Sequence, residues 1–380
     1  FMGIAHALDH SYLAALPPVL LLVADDLRVS LGEISVAATF AYLLFGAGAL
    51  IGGPLSDKVG ESKVILLSLG LAGASTLVLY VDRGYVGLVA MLVLSALWSS
   101  FYHPTANSLI SKRYREEMGK VMGFHGVCGS VGQVFVPMVA VLLALAAGWR
   151  SSFIFFGVLS VAVSLYFSRI PSTKRERRAG GAKYAMFKGH TFWVLLAYNI
   201  MMGLYFRGTE LFLPAYLTKV RGLSIEASAF AVSLLLAFGV LGQFLGGVAG
   251  DRIGSAKALL IESIVVSAGF AFLQFEGLIA AIAFLILFGV AFYATQPTTN
   301  ALAADVSSPE QRGVVYGIMF FTTFGLGSIS SMVAGRAAEV SGLQLAFSIM
   351  LSFSLTALVF AVLLRRIWET HQIKVLPAGS

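Results

Sequence analysis

Charge is scarce in this chain: Asp, Glu, Lys and Arg together make up 12% of its residues, about half the share of an ordinary soluble domain. With 58% hydrophobic residues beside it, that shortage excludes a soluble enzyme or a solvated binding module. Cysteine is nearly absent. The single Cys128 rules out an intrachain disulfide and any metal site built on thiolates. Catalytic signatures are missing as well: there is no G-x-S-x-G, no phosphate-cradling P-loop and no H-E-x-x-H, so no enzymatic activity is expected. A cleavable signal peptide is not expected either, because the first apolar segment already carries polar residues suited to a working helix. The extremes Phe1-Met2 and Leu376 to Ser380 carry no functional weight.

What the chain does have is apolar runs of about 20 residues along its whole length, enough for a helix to cross a hydrocarbon layer of ~30 Å. The pattern predicts twelve membrane helices, over 3–26, 32–55, 63–81, 84–110, 118–146, 149–169, 190–219, 225–248, 256–274, 278–303, 312–338 and 343–367. The fold class expected is therefore an all-α membrane protein. At about 32 residues for each span with its loop, no room remains for a separate soluble domain. Forty glycines fit close helix packing, because small residues let backbones approach where no hydrophobic force drives helices together.

The twelve spans divide into two copies of one unit. Gly53-Pro54-Leu55-Ser56-Asp57-Lys58-Val59-Gly60 is echoed by Gly247-Val248-Ala249-Gly250-Asp251-Arg252-Ile253-Gly254, 194 residues downstream. Pro104-Thr105-Ala106-Asn107 is echoed by Pro297-Thr298-Thr299-Asn300 at an offset of 193, and Gly119 and Gly123 by Gly313 and Gly317 at 194. In a membrane protein such a repeat points to a transporter with its site between the copies. The domains expected are a six-helix bundle at 1–170, a basic linker at 171–189, a second bundle at 190–368 and a tail at 369–380.

Basic residues crowd the segments joining spans 2–3, 4–5, 6–7, 8–9 and 10–11. The opposite loops hold only Arg28, Arg83, Arg150, Lys219, Arg221 and Arg336. This asymmetry puts both termini on the cytoplasmic side of a plasma-membrane protein. The net charge of +7 is then a topology signal and a contact with anionic lipid, not a nucleic-acid site. In the repeated segments, the glycines Gly53, Gly60, Gly247 and Gly254 permit tight turns. The charges Asp57, Lys58, Asp251 and Arg252 sit where they can cap or latch helix ends during a conformational cycle.

This segment resembles the loop signature of the major facilitator superfamily, glycine followed by acid, base and glycine, repeated more loosely in the second half. Glu61-Ser62-Lys63 departs from the consecutive basic residues usual there. A narrower resemblance is to fosmidomycin-resistance-like efflux proteins. It rests on His6-Ala7-Leu8-Asp9-His10, on Phe101-Tyr102-His103-Pro104, and on Phe124-His125-Gly126 with Gly129 and Gly132. The chain departs from that group at Asp9-His10, where Asn-Asp is usual, and at Thr105, where Glu often stands. The resemblance implies two six-helix bundles in pseudo-symmetry and a central cavity lined by helices 1, 4, 7 and 10. Gly126, Gly129, Gly132 and Pro137 read either as an antiporter-type helix 5 or as a small-residue packing face with a proline bend.

Ionisable groups inside a bilayer cost at least ~2.5–3.5 kcal/mol each, so they face a cavity or a partner. The first half offers His6, Asp9, His10 and Tyr12, then His103 and Asn107, then His125; the second offers Asn199, Arg207, Glu210, Gln243, Gln296 and Asn300. Tyr12, His103, Asn107, His125, Asn199, Arg207, Glu210, Gln243, Gln296 and Asn300 are the expected substrate contacts. Spacings of three and four put Asp9 and His10 on the face of His6. A carboxylate in a dry cavity holds its charge at a cost and can take and release a proton each cycle, which makes Asp9 the first proton carrier expected and Glu210 the second. His6, His10 and His103 can share that work. Arg207 and Glu210, three apart, read either as a neutralising pair or as an anion anchor freed when Glu210 is protonated.

The function expected is proton-coupled efflux of a small organic molecule or drug by alternating access, in a monomer whose partners are that molecule, protons and membrane lipids. Proton-coupled uptake of an organic anion is the alternative. No cofactor and no metal are expected. The spacing of His6 and His10 nevertheless matches one face of a metal site that Asp9 or His103 would complete. A divalent-metal transporter and a sensor without transport are therefore kept as minor readings.

Overall fold

The computed structural model describes the backbone of residues 1–114, 117–168, 189–308 and 311–375. The expected linker at 171–189 lies outside the described residues apart from Gly189, as does the end of the expected tail. Among the described residues, twelve helical rods run in series. In the first half they are α1 (Met2–Leu27), α2 (Leu31–Val59), α3 (Glu61–Val81), α4 (Tyr85–Arg113), α5 (Met118–Ala147) and α6 (Arg150–Ser168). In the second they are α7 (His190–Lys219), α8 (Ile225–Ile253), α9 (Ser255–Phe272), α10 (Leu278–Asp305), α11 (Arg312–Ser341) and α12 (Leu343–Val375).

Eleven of these are long and apolar enough to cross a membrane. The other, α7, is as long at 30 residues, but Asn199, Arg207 and Glu210 dilute its apolar character. It compensates by burial: most of its length from Leu195 to Leu217 is enclosed by protein. A helix stretch enclosed by protein needs little apolar surface there. On the outer surface the exposed side chains include Phe40, Val86, Leu165, Phe244 and Ile279, as lipid contact requires. The chain is an integral membrane protein.

The repeat is visible in the backbone. Ser30 caps α2 by accepting a bond from the Glu33 N–H, and Ser224 caps α8 by accepting one from the Ala227 N–H; the two caps stand 194 residues apart. The segments read as loops prove to be helix almost to their ends. Asp57 and Lys58 lie in the last turn of α2, and Asp251 and Arg252 in the last turn of α8. The turn itself is one residue, Gly60 at φ +103° in the first copy and Gly254 at φ +84° in the second. Only glycine enters that region without strain, so a single residue can reverse the chain. The tail also differs from expectation. α12 continues to Val375, extended past its lipid-crossing part by an Arg365–Glu369 pair at 2.8 Å.

Four rods are broken among the described residues: α3 at Thr76 and Leu77, and three others whose breaks aim the site. α1 interrupts at His10 and Ala15. The Ser11 hydroxyl takes the Leu8 carbonyl at 2.6 Å, and Pro17 and Pro18 have no N–H to give the carbonyls one turn back. α4 interrupts at Ser100 and Phe101, one turn before Pro104. α11 passes through a π-helical turn at Phe321–Gly325 and a 3-10 turn at Leu326–Ser328. At that irregular stretch α11 is wedged between α2 and α7. A Cβ on Gly46 would lie 2.5 Å from the Gly325 nitrogen, and one on Gly203 would lie 2.6 Å from the Thr323 carbonyl oxygen. The halves are also bonded there, Thr39 and Ser328 exchanging hydroxyl-to-carbonyl bonds of 3.1 and 3.2 Å. A second junction joins α5 to α8 through Ser130 and Gln243 at 3.4 Å.

Candidate functional site

The breaks in α1 and α4 bring four histidines and one acid together. The rings of His6, His10 and His103 form a near-equilateral triangle with centroids 4.9–5.1 Å apart. His125 of α5 stacks on His6 at 4.2 Å. The His6 Nδ1–H donates to the His125 carbonyl at 2.8 Å. A carbonyl can only accept, so this bond fixes the tautomer and leaves the His6 Nε2 lone pair free. That Nε2 lies 3.1 Å from His10 Nε2. Asp9, 2% exposed, faces His103 Nε2 at 3.5 Å. Neither Asp9 oxygen has a hydrogen bond of ordinary geometry among the described residues, an unusual state for a buried carboxylate.

The second half supplies the opposite wall. Arg207 of α7 is 3% exposed and paired with Glu210 one turn on. Its guanidinium lies 4.5 Å over the Tyr42 ring of α2, 4.2 Å over Phe324 of α11 and 4.9 Å over Phe206. Aromatic faces hold a cation by their quadrupole without donating or accepting a hydrogen bond, and each contributes ~0.5–2 kcal/mol. The Arg207 Nε is left without a hydrogen bond among the described residues. Phe45, Phe320 and Phe324 join the two walls: Phe45 meets His103 at 6.1 Å and Phe324 at 5.8 Å, and His103 meets Phe320 at 5.7 Å. A titratable cluster in one half and a caged arginine in the other thus face one aromatic partition at the junction between the halves. Catalysis needs a nucleophile set against a base and an oxyanion site; this arrangement instead suits a bound, translocated ion or molecule.

Sequence comparison agrees with the geometry. The Major Facilitator Superfamily model matches residues 2–332. The chain belongs to that superfamily. Among curated members, it is 26% identical over 365 residues to the probable sulfoacetate transporter SauU of Cupriavidus necator, covering 84% of this chain and 82% of that protein. It is 26% identical over 294 residues to the fosmidomycin resistance protein of Escherichia coli, covering 73% and 70%. The fold matches that of a bacterial homolog of the human lysosomal transporter Spinster in an inward-facing, occupied conformation, with a TM-score of 0.80, 18% identity and coverage of 96% and 95%. It also matches the nucleoside transporter NupG, with a TM-score of 0.81, 13% identity and coverage of 96% and 98%. This superfamily member is a transporter and not an enzyme.

Of the residues singled out in the sequence, His6, Asp9, His10, His103, His125, Arg207 and Glu210 gather at the partition. The others lie elsewhere. The Tyr12 hydroxyl points to the Leu69 carbonyl of α3 at 3.4 Å, inside the first bundle. Asn199 donates to the Met319 carbonyl and to Thr322 and Thr323 at 2.7–2.8 Å, which ties α7 to the irregular part of α11. Gln243 donates to Gln296 at 3.3 Å beside the α5–α8 junction. Asn107 and Asn300 are exposed near the ends of α4 and α10. Of the repeated turn charges, Asp57 pairs with Lys112 of α4 at 3.3 Å, and Lys112 pairs also with Glu61. The acid that departs from the usual basic pattern therefore has a local partner. Lys58, Asp251 and Arg252 are exposed.

Sequence reasoning missed Tyr42, the aromatic partition and Glu262. Glu262 is 7% exposed on α9 and accepts a bond from Thr298 of α10 at 2.9 Å. A lone acid in an apolar span was itself the signal. Nothing in the local pattern of Tyr42, Phe45, Phe320 or Phe324 separates them from ordinary apolar helix residues.

Proposed function

We propose that the chain is a proton-coupled transporter of a small organic anion, with Arg207 as the anion anchor and Glu210 as its proton-controlled gate. The observation that carries this reading is the setting of Arg207: a buried guanidinium caged by rings, its charge met by Glu210 alone among the described residues. While Glu210 is ionised it occupies the cation. Protonating Glu210 removes the competing charge, and the planar fork of Arg207 is left to take a carboxylate, sulfonate or phosphonate. Proton and anion then favour one another's binding, which by reciprocity makes them travel together as symport. The curated relatives include proteins named for sulfoacetate, hexuronate and L-galactonate, all anions. Alternating access would proceed by rocking of the halves about the α2–α11 and α5–α8 junctions, with the turns at Gly60 and Gly254 on the cytoplasmic side.

A second reading has its own observation. The buried Asp9 carboxylate, facing His103 at 3.5 Å, would attract a cationic solute for which protons compete, and competition yields exchange, hence efflux. The relatives named for fosmidomycin and chloramphenicol resistance fit an exporter. Proteoliposomes separate the two. With radiolabelled small organic anions, an inward-directed proton gradient should drive accumulation, and Arg207→Gln should abolish it. Accumulation of a cationic drug against an opposed proton gradient, unaffected by Arg207→Gln but lost in Asp9→Asn, would replace the first reading with the second. Flux indifferent to any proton gradient would reject both.

A further inference from the structure

We infer that His6, His10 and His103, with Asp9 beside them, form a binding site for a divalent transition-metal ion. One ligand nitrogen from each histidine lies within 4.8 Å of the other two. Around a tetrahedral zinc-like ion at 2.0–2.1 Å, two imidazole nitrogens stand ~3.3 Å apart. His6 Nε2 and His10 Nε2, at 3.1 Å, already have that spacing. Closing the third side asks His103 to move by about 1–1.5 Å, a side-chain adjustment.

Three further features favour an ion over a plain packing cluster. First, His6 is oriented the way metal-ligating histidines are: its outer Nδ1–H is held by the His125 carbonyl, which points the Nε2 lone pair inward. Second, the cluster has unmet hydrogen-bonding capacity facing inward. His103 Nε2 and both Asp9 oxygens are buried without a hydrogen bond among the described residues, His103 and Asp9 facing each other at 3.5 Å, and these are the groups a cation would satisfy. Third, the donor set matches the ion. Imidazoles with one carboxylate suit zinc, cobalt, nickel or iron, whereas calcium and magnesium require oxygen-rich cages. Asp9 supplies the negative charge that lets a dication enter so enclosed a place. All four groups belong to α1 and α4, within one half of the molecule, so a bound ion would leave the halves free to move. Three protein nitrogens also leave coordination positions open, and one of the three histidines, His103, borders the aromatic partition at Phe45 and Phe320. The inference rests on the histidine cluster alone and stands apart from the anion reading, which rests on Arg207 and Glu210.

The test uses the full chain, purified without a polyhistidine tag and stripped with chelator, titrated with Co²⁺ as a coloured probe. The expected result is one tightly bound Co²⁺ per chain, with the intense visible bands of a four- or five-coordinate ion, displaced by Zn²⁺. His6→Gln and His10→Gln should each weaken binding by at least ~10-fold, and Asp9→Asn should weaken it as well. His190→Gln removes an exposed histidine at the start of α7, outside the cluster, so it should bind as the parent does. Thermal unfolding of each variant checks the fold. If His6→Gln fails to fold, the half-buried His10 provides the variant, and X-ray absorption on the Zn²⁺-loaded parent counts coordinated imidazoles independently. No stoichiometric Co²⁺, a six-coordinate spectrum, or affinity unchanged in the His6→Gln/His10→Gln double variant would overturn the assignment.

Discussion

Replacing Glu210 with Gln removes the carboxylate that meets the buried Arg207 charge while keeping the side chain's shape. The cost can be worked from the surroundings. Removing one partner of a buried ion pair costs ~3–5 kcal/mol, because the other charge is left uncompensated. Two features reduce that here. The Glu210 side chain is 28% exposed, so water reaches the gap, and the Gln carbonyl still accepts one bond from the guanidinium, worth ~1.5–3 kcal/mol. The net destabilisation expected is about 2 kcal/mol, read as a fall of several degrees in the thermal unfolding of detergent-purified protein. A small organic anion should then do more for the variant than for the parent, because it replaces the lost counter-charge; saturation to 100 times Kd returns ~2.7 kcal/mol. In vesicles the same variant should exchange anion for anion but no longer accumulate it on a proton gradient. The double variant Arg207→Met/Glu210→Leu, which removes both charges, should be more stable than Glu210→Gln alone. The reasoning fails if Glu210→Gln unfolds at the parent's temperature and organic anions shift both proteins equally.

The single-residue turns make a simpler prediction. Gly60→Ala and Gly254→Ala place a Cβ at φ +103° and +84°, so each should lower stability by ~1–2 kcal/mol, measurable by thermal unfolding, while Gly53→Ala, where an added Cβ meets open space, should change little. Lys112→Ala removes the base that Asp57 and Glu61 share. Because ion pairs near a surface contribute at most ~1 kcal/mol, stability should fall by less than that while the rate of counterflow drops; unchanged transport would deny those charges any part in the conformational cycle.

Much of this architecture was legible in one dimension because its causes are local or periodic. A run of about 20 apolar residues needs only the bilayer's thickness to be read as a span. The 194-residue offset needs only comparison of the chain with itself, and the caps Ser30 and Ser224 extend it. Asp9 and His10 were placed on the face of His6 by helical spacing alone. Rod lengths were less legible. A helix end depends on where a residue such as Gly60 takes a positive φ, so the acid and base that read as loop belong to α2 and α8.

The site was readable only as a set of residue types. An ionisable group in an apolar segment announces itself through its insertion cost, which is why Asp9, His103, Arg207 and Glu210 were found. The same rule should have found Glu262. Which of these groups meet was decided by tertiary structure, because it depends on breaks and crossings that join distant parts of the chain. The interruptions of α1 at His10 and of α4 at Ser100 and Phe101 lie beside the three imidazoles that converge. Gly46 and Gly203 admit α11 between α2 and α7, which sets Phe324 and Tyr42 over Arg207. Asn199 and Tyr12 show the converse: both look like cavity residues by composition, yet helix rotation turns them into the packing of their own bundles. Membrane insertion and duplication follow from the sequence itself, since hydropathy and repetition act along the chain; the pairing of charges, rings and histidines arises only where separate helices cross.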